Sequence, residues 1–204
     1  MKHRKKVISI FVLVAVVVVL LYGIMGGKAG EPGELRHAST EENSRVLIVY
    51  YSYTGTTERV AEKIQEMTHG DLYDVQPART YSGDSNLATA RLMWERFTHN
   101  MPELSGELPD LSDYDTILIG TPVWNNDIAN PVMSYLEQND FEGKTVAPFW
   151  TYAGSAGNTA DNFVELAESA VHAEGLGLSG AAGYSDEQLE VRLSDWLEKF
   201  MVSP

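Results

Sequence analysis

Apolar and polar positions alternate between two regimes along most of this chain. Short strongly apolar runs, "RVLIVYY" (45–51), "DTILIGT" (115–121) and "KTVAPFWT" (144–151), are separated by stretches with apolar residues at helical spacing. A run of five to eight β-branched and aromatic residues reads as a strand buried on both faces. "DLYDV" (71–75) and "LGLSG" (176–180) read as two shorter strands. The intervening patterns predict helices over 57–67, 87–99, 131–138, 158–173 and 185–201. Pro131 stands in an allowed first-turn position, and Ser185 with Gln188 makes a capping-box start. Strands apolar on both faces, alternating with helices, imply a mostly parallel five-stranded sheet covered on both sides, a three-layer α/β/α sandwich.

The N-terminus breaks this pattern. MKHRKK (1–6) carries four Lys/Arg, and Val7 to Met25 then runs for 19 residues without charge. As a helix that run is about 28 Å long, near the thickness of a bilayer's hydrocarbon core. It reads as a transmembrane anchor or a secretory signal. Its length, and the lack of an A-x-A site in "YGIMGGKAG", favour an uncleaved anchor over residues 1–25. The basic flank then stays in the cytoplasm and the C-terminal domain lies outside, secreted if the segment is cleaved. Residues 26–44, rich in Gly and charge, are expected to be a flexible tether, and 45–204 the folded domain.

Charge and cysteine content narrow the partners. Beyond residue 30 there are ten Lys/Arg against 29 Asp/Glu, a formal charge of −19. Nucleic acid is a poor partner for that surface, and a protein with a basic docking surface a better one. With no cysteine, thiol catalysis and thiolate-ligated metal clusters are excluded. His3, His37, His69, His99 and His172 show no metal-ligand spacing.

In an open α/β sheet ligands sit at the carboxyl ends of the strands, so the loops after the three apolar runs are the candidates. "SYTGTT" (52–57) opens a helix. Its hydroxyls, its glycine and the helix N-terminus suit a phosphate that is held, and equally an ordinary capped turn. It has neither the Lys of a P-loop nor G-x-G-x-x-G. "PVWNNDIAN" (122–130) places Trp124 and amide side chains where a planar heterocycle could stack, or where Trp124 packs under a helix. "YAGSAGNT" (152–159) is small enough for backbone N–H groups to meet a ligand's edge. Thr121 stands where a phosphoacceptor receiver domain would need an Asp.

These residues carry a resemblance. "VLIVYYSYTGTTERVAEKI", "YDTILIGTPVWNNDIANPVMSYLE" and "FEGKTVAPFWTYAGSAG" resemble the flavodoxin-like family over residues 45–201. The resemblance implies strand order 2-1-3-4-5 and FMN as cofactor. It implies that Ser52, Tyr53, Thr54, Gly55, Thr56 and Thr57 hold the phosphate. Pro122, Val123, Trp124 and Asn125 would flank the isoalloxazine, with Tyr152, Ala153, Gly154 and Ser155 on its other side or at its pyrimidine edge. Asn125 stands where a second Trp is expected. The implied activity is electron carriage to a partner protein, with the acidic domain and aromatic stacking favouring a low potential. Two alternatives remain open. One is an NAD(P)H-dependent FMN or quinone reductase, for which Arg79, Arg91 and Arg96 could supply a 2′-phosphate site, although they read as solvated helix faces. The other is a binding module that has lost the cofactor.

Overall fold

The computed structural model describes residues 27–37 and 45–201. The anchor expected over 1–25 lies outside the described residues. In chain order the strands are β1 (Leu35–Arg36), β2 (Val46–Tyr50), β3 (Asp71–Asp74), β4 (Gln76–Pro77), β5 (Leu104–Ser105), β6 (Thr116–Trp124), β7 (Asp127–Ile128), β8 (Thr145–Tyr152), β9 (Val171–His172) and β10 (Leu176–Ser179). The helices are α1 (Thr56–Thr68), α2 (Ser85–Thr98), α3 (Asn130–Gln138), α4 (Thr159–Leu166) and α5 (Asp186–Leu197).

The main sheet runs β1-β3-β2-β6-β8-β10, with β7 added to β6 and β9 to β8. All pairings are parallel except β1 on β3 and β7 on β6. The sheet therefore extends beyond the five strands read from the sequence. Strand alternation divides the core. Val46, Ile48 and Tyr50 pack with Val60, Ile64, Leu189 and Trp196 of α1 and α5. Leu47 and Val49 pack with Val132, Tyr135 and Phe163 of α3 and α4 on the opposite face. Every residue of β2 is buried, which accounts for its unbroken apolar run.

Three expectations are corrected. The tether expected over 26–44 is docked over residues 27–37: β1 pairs antiparallel with β3, and Gly30 N–H and Gly33 N–H donate to the carbonyls of Ala78 and Ser105. The glycines that read as flexibility let the backbone press against the sheet edge, since a Cβ on Gly30 would collide with the Pro77 carbonyl. The helix expected to run to Ala173 stops at Leu166. Beyond it Ser169 donates to Asp140 and accepts from the Phe141 N–H, and Val171 joins the edge of β8; tertiary pairing outweighs helix propensity here. Finally, α2 begins at Ser85, because the Asp84 carboxylate accepts from Asn86 N–H and Leu87 N–H as an N-cap.

At the end of β3 the Asp74 carboxyl has one oxygen buried without a partner and one accepting from Gln76 Nε2 at 2.7 Å. Burial, with Glu58 and Glu34 nearby, raises its pKa to about 6 against the opposing effects of Gln76 and Arg36. The folded state therefore keeps a proton that the unfolded chain has already lost, and Asp74 costs stability progressively as pH rises from about 4 to 6. Asp74→Asn should stabilise the domain by on the order of 1 kcal/mol at pH 7, after allowance for partial exposure, and not at pH 4. Urea unfolding at the two pH values measures this, and an equal effect at both would sink it.

Candidate functional site

The carboxyl ends of β2, β6, β8 and β10 meet at one edge of the sheet. The chain leaves β2 through Tyr51–Gly55, and α1 starts on Gly55 in the left-handed region (φ 83°), which favours glycine. No side chain caps this helix, so its leading N–H groups are left for an external acceptor. Beside them the Ser52 hydroxyl is buried with no partner in the protein. A buried orphan donor beside an uncapped helix N-terminus suits an anion. Thr57 is fully buried, and its hydroxyl shares a hydrogen bond with that of Thr151 at 2.9 Å, tying α1 to β8. Tyr53 donates to the Ser82 carbonyl at 2.6 Å.

The second loop is a hairpin. Trp124 pairs with Asp127 across Asn125 and Asn126, whose φ angles of 50° and 62° are those of a tight two-residue turn that asparagine tolerates. Arg96 of α2 fastens it from below. Its guanidinium donates to the carbonyls of Ile128 (2.6 Å) and Trp124 (3.4 Å), to Asp127 (3.2 Å) and to Asn130 (2.9 Å). Asn162 donates to the other Asp127 oxygen at 2.7 Å. Asn158 N–H donates to the Asn126 carbonyl, and Gly157 (φ 55°) leaves room for Asn126 that any Cβ would take.

The Trp124 ring is caged by tyrosine edges, with centroids at 4.8 Å to Tyr81, 5.3 Å to Tyr51 and 5.5 Å to Tyr53. Beneath Tyr81 lies a buried charged cluster. Arg91 sits over the Tyr81 ring at 4.3 Å and donates to Glu95 at 2.7 Å. Glu95 also accepts from the Tyr81 hydroxyl at 2.5 Å and from Asn130 at 2.8 Å. Burial and neighbouring Glu95 push the Tyr81 hydroxyl far above its ordinary pKa, so it stays a neutral donor. Arg91 and Arg96 are thus neither solvated nor available to a 2′-phosphate, contrary to both readings of the sequence: Arg91 also serves the carbonyls of Arg79 and Thr80.

These elements border a cleft of about 230 Å³. Tyr53, Thr54, Thr56, Thr57, Pro122, Val123, Trp124, Tyr152 and Ala153 line it, as do Thr151, Gly180, Ala181 and Ala182. The last four were not singled out from the sequence. For Gly180, Ala181 and Ala182 the signal was available: the small-residue run Gly180–Gly183 starts at the last residue of "LGLSG", at the same sheet edge. Asn125 lines instead a second cavity of about 340 Å³ beyond Trp124, with Ser85, Ala88, Thr89 and Leu92 of α2. Tyr53, Val123 and Trp124 border both, so Trp124 is the partition. Ser52 and Gly55 do not line the cleft. Gly154 and Ser155 are exposed and off the cleft wall, and the Ser155 hydroxyl accepts from Gly157 N–H.

The sequence profile of the flavodoxin family matches residues 45–200, the whole of the sheet beyond β1 and all five helices. The chain belongs to the flavodoxin family. This flavodoxin-family chain is 30% identical to a flavodoxin of Nostoc sp. over 128 residues. That match covers 59% of this chain and 58% of the relative's own length, so it spans little more than half of the Nostoc protein. Among solved structures, a protein of Bacteroides eggerthii described as a flavoprotein is 31% identical with a TM-score of 0.67, covering 79% of this chain and 100% of that one. A flavoprotein of Lactobacillus acidophilus, solved in complex with FMN, is 25% identical with a TM-score of 0.61, covering 76% and 99% of the two chains.

Proposed function

We propose that this chain binds FMN in the cleft at the carboxyl edge of the sheet and carries electrons for a partner protein from the outer side of a membrane. The observation that carries the cofactor reading is the buried, partnerless Ser52 hydroxyl beside the uncapped N-terminus of α1. The FMN-bound relative supports the same ligand. Bound FMN supplies the redox chemistry, and the protein holds and shields it. Ser52, Thr54, Gly55, Thr56 and the α1 amides hold the phosphate. Pro122, Val123 and Trp124 form one wall for the ring, and Tyr152 and Ala153 the facing one. Trp124 is pre-positioned by its tyrosine cage and by the fastened hairpin, so little ordering remains when a ligand enters.

No Asp, Glu, His, Lys or Arg lines the cleft. An electron carrier needs none. The internal engagement of Arg91 and Arg96 likewise favours carriage over NADPH-dependent reduction. The excess of acidic residues fits a partner with a basic docking surface. Membrane attachment rests on the run Val7–Met25; among the described residues no helix is long and apolar enough to cross a membrane.

Titrating the purified chain with FMN tests the cofactor reading. A shifted flavin absorbance and quenched FMN fluorescence are expected, with Trp124→Ala weakening binding by about 1–2 kcal/mol, roughly tenfold in Kd. A protein that leaves FMN fluorescence unchanged would refute it.

A further inference from the structure

Helix α2 is inside out. Its charged residues point inward: Arg91 and Glu95 are 8% and 6% exposed, and Arg96 is bonded beneath the hairpin. Its outer face is apolar. Leu87, Met93, Trp94 and Phe97 are 43%, 48%, 39% and 80% exposed, and Ala90 lies between them. At 100° per residue these five fall within one arc of about 120°, which exposed Asn86 shares and no charged residue interrupts. The Trp94 and Phe97 ring centroids lie 6.3 Å apart. A contiguous apolar face on so acidic a domain marks a surface that something covers.

The chain's path says what covers it. Gly27 lies against the Thr80 carbonyl and the Arg91 guanidinium, at the side of α2. Lys28 then accepts from Thr80 N–H, and Ala29 bridges to Arg79. The uncharged run ends at Met25, so Gly26 alone separates it from residues docked on the domain. Two peptide units span at most about 7 Å. If Val7–Met25 sits in a bilayer, the side of the domain carrying α2 is held at the bilayer surface. Exposed Lys28 and Arg79 stand on this side with Trp94, although Glu103 borders the same depression. Trp with a cationic fringe is the composition of a membrane interface.

We infer that the outer face of α2, Leu87, Ala90, Met93, Trp94 and Phe97, rests on the lipid bilayer. The inference depends on the membrane attachment proposed above and not on FMN. It fixes the domain's orientation, so that the cleft opens beside the membrane rather than at the end of a loose leash.

The test reconstitutes the full chain with FMN into vesicles of phosphatidylcholine and phosphatidylglycerol carrying brominated acyl chains. Flotation reports attachment, flavin absorbance reports the cofactor, and tryptophan emission reports α2. Emission is expected to be quenched by the brominated lipid, and that quenching lost in Trp94→Phe and in Phe97→Asp. Both substitutions are at exposed positions, so folding is retained and the flavin signal is the control. Vesicles that float while Trp94 goes unquenched overturn the inference and leave the anchor standing. A chain that does not float overturns both. A detergent-solubilised dimer dissolved by Phe97→Asp would assign the face to a second copy of the chain and overturn it too.

Discussion

Replacing Glu95 with alanine should lower the stability of the domain by about 3–5 kcal/mol, the usual consequence of removing one partner from a buried ion pair. Two donors, Arg91 Nε and the Tyr81 hydroxyl, lose their acceptor at once, and Asn130 Nδ2 is left with the Leu92 carbonyl alone. None can turn to water, because Arg91, Tyr81 and Asn130 are all buried. Against a typical total of about 5–15 kcal/mol, such a loss leaves little margin. The double replacement Arg91→Met with Glu95→Met should recover most of it, since no unpaired charge then remains. Urea unfolding of both variants gives the comparison. A Glu95→Ala domain within about 1 kcal/mol of the parent would show that the cluster is not the keystone its contacts suggest. The variant should also loosen Trp124, whose shortest ring contact is Tyr81.

Arg96→Met should act more locally and reach the cleft more directly. The guanidinium serves two carbonyls, one carboxylate and one amide of the segment 124–130. With it gone, Asp127 keeps Asn162 and its own Ile128 N–H but loses its cation. A stability loss of about 2–4 kcal/mol is expected from the stranded carboxylate and carbonyls. FMN affinity should fall about tenfold through disorder of the Trp124 wall, while the phosphate turn 52–57 stays intact. Inorganic phosphate, as a competitor of FMN, separates the two effects. If FMN affinity is unchanged while stability falls, the hairpin is held by its own turn and by α4 rather than by Arg96.

What could be read from the sequence, and what could not, divides on physical grounds. β2, β6 and β8 were legible because a strand buried on both faces leaves an unbroken apolar run. The turn Ser52–Thr57 was legible because hydroxyls and a glycine between strand and helix have few uses. α2 misled because its amphipathicity is inverted: Arg91 and Arg96 read as solvated, yet they and Glu95 are satisfied by residues 11 to 35 positions away or one turn along the helix. Pairings of that kind leave no periodic trace. The segment 27–37 misled for another reason. Its glycines signal looseness in isolation, and only the edge they fit against turns them into contacts. Asn125 was placed at the ring from a linear reading, but the two-residue turn carries it past Trp124 to the second cavity.

The docked segment has one more effect, on behaviour in concentrated solution. β3 is the outermost parallel strand on its side, and β1 supplies its outer neighbour through Leu35–Tyr73 and Arg36–Leu72. An uncovered β3 would offer a row of unpaired amides and carbonyls to any other extended chain. With β1 only two residues long and Arg36 engaged with Glu62 and Tyr50, the outermost strand is too short and too charged to template another. Residues 27–37 thus act as a selvedge that stops sheet from joining sheet, and a fragment trimmed back to Arg45 would be prone to fibrillar self-association.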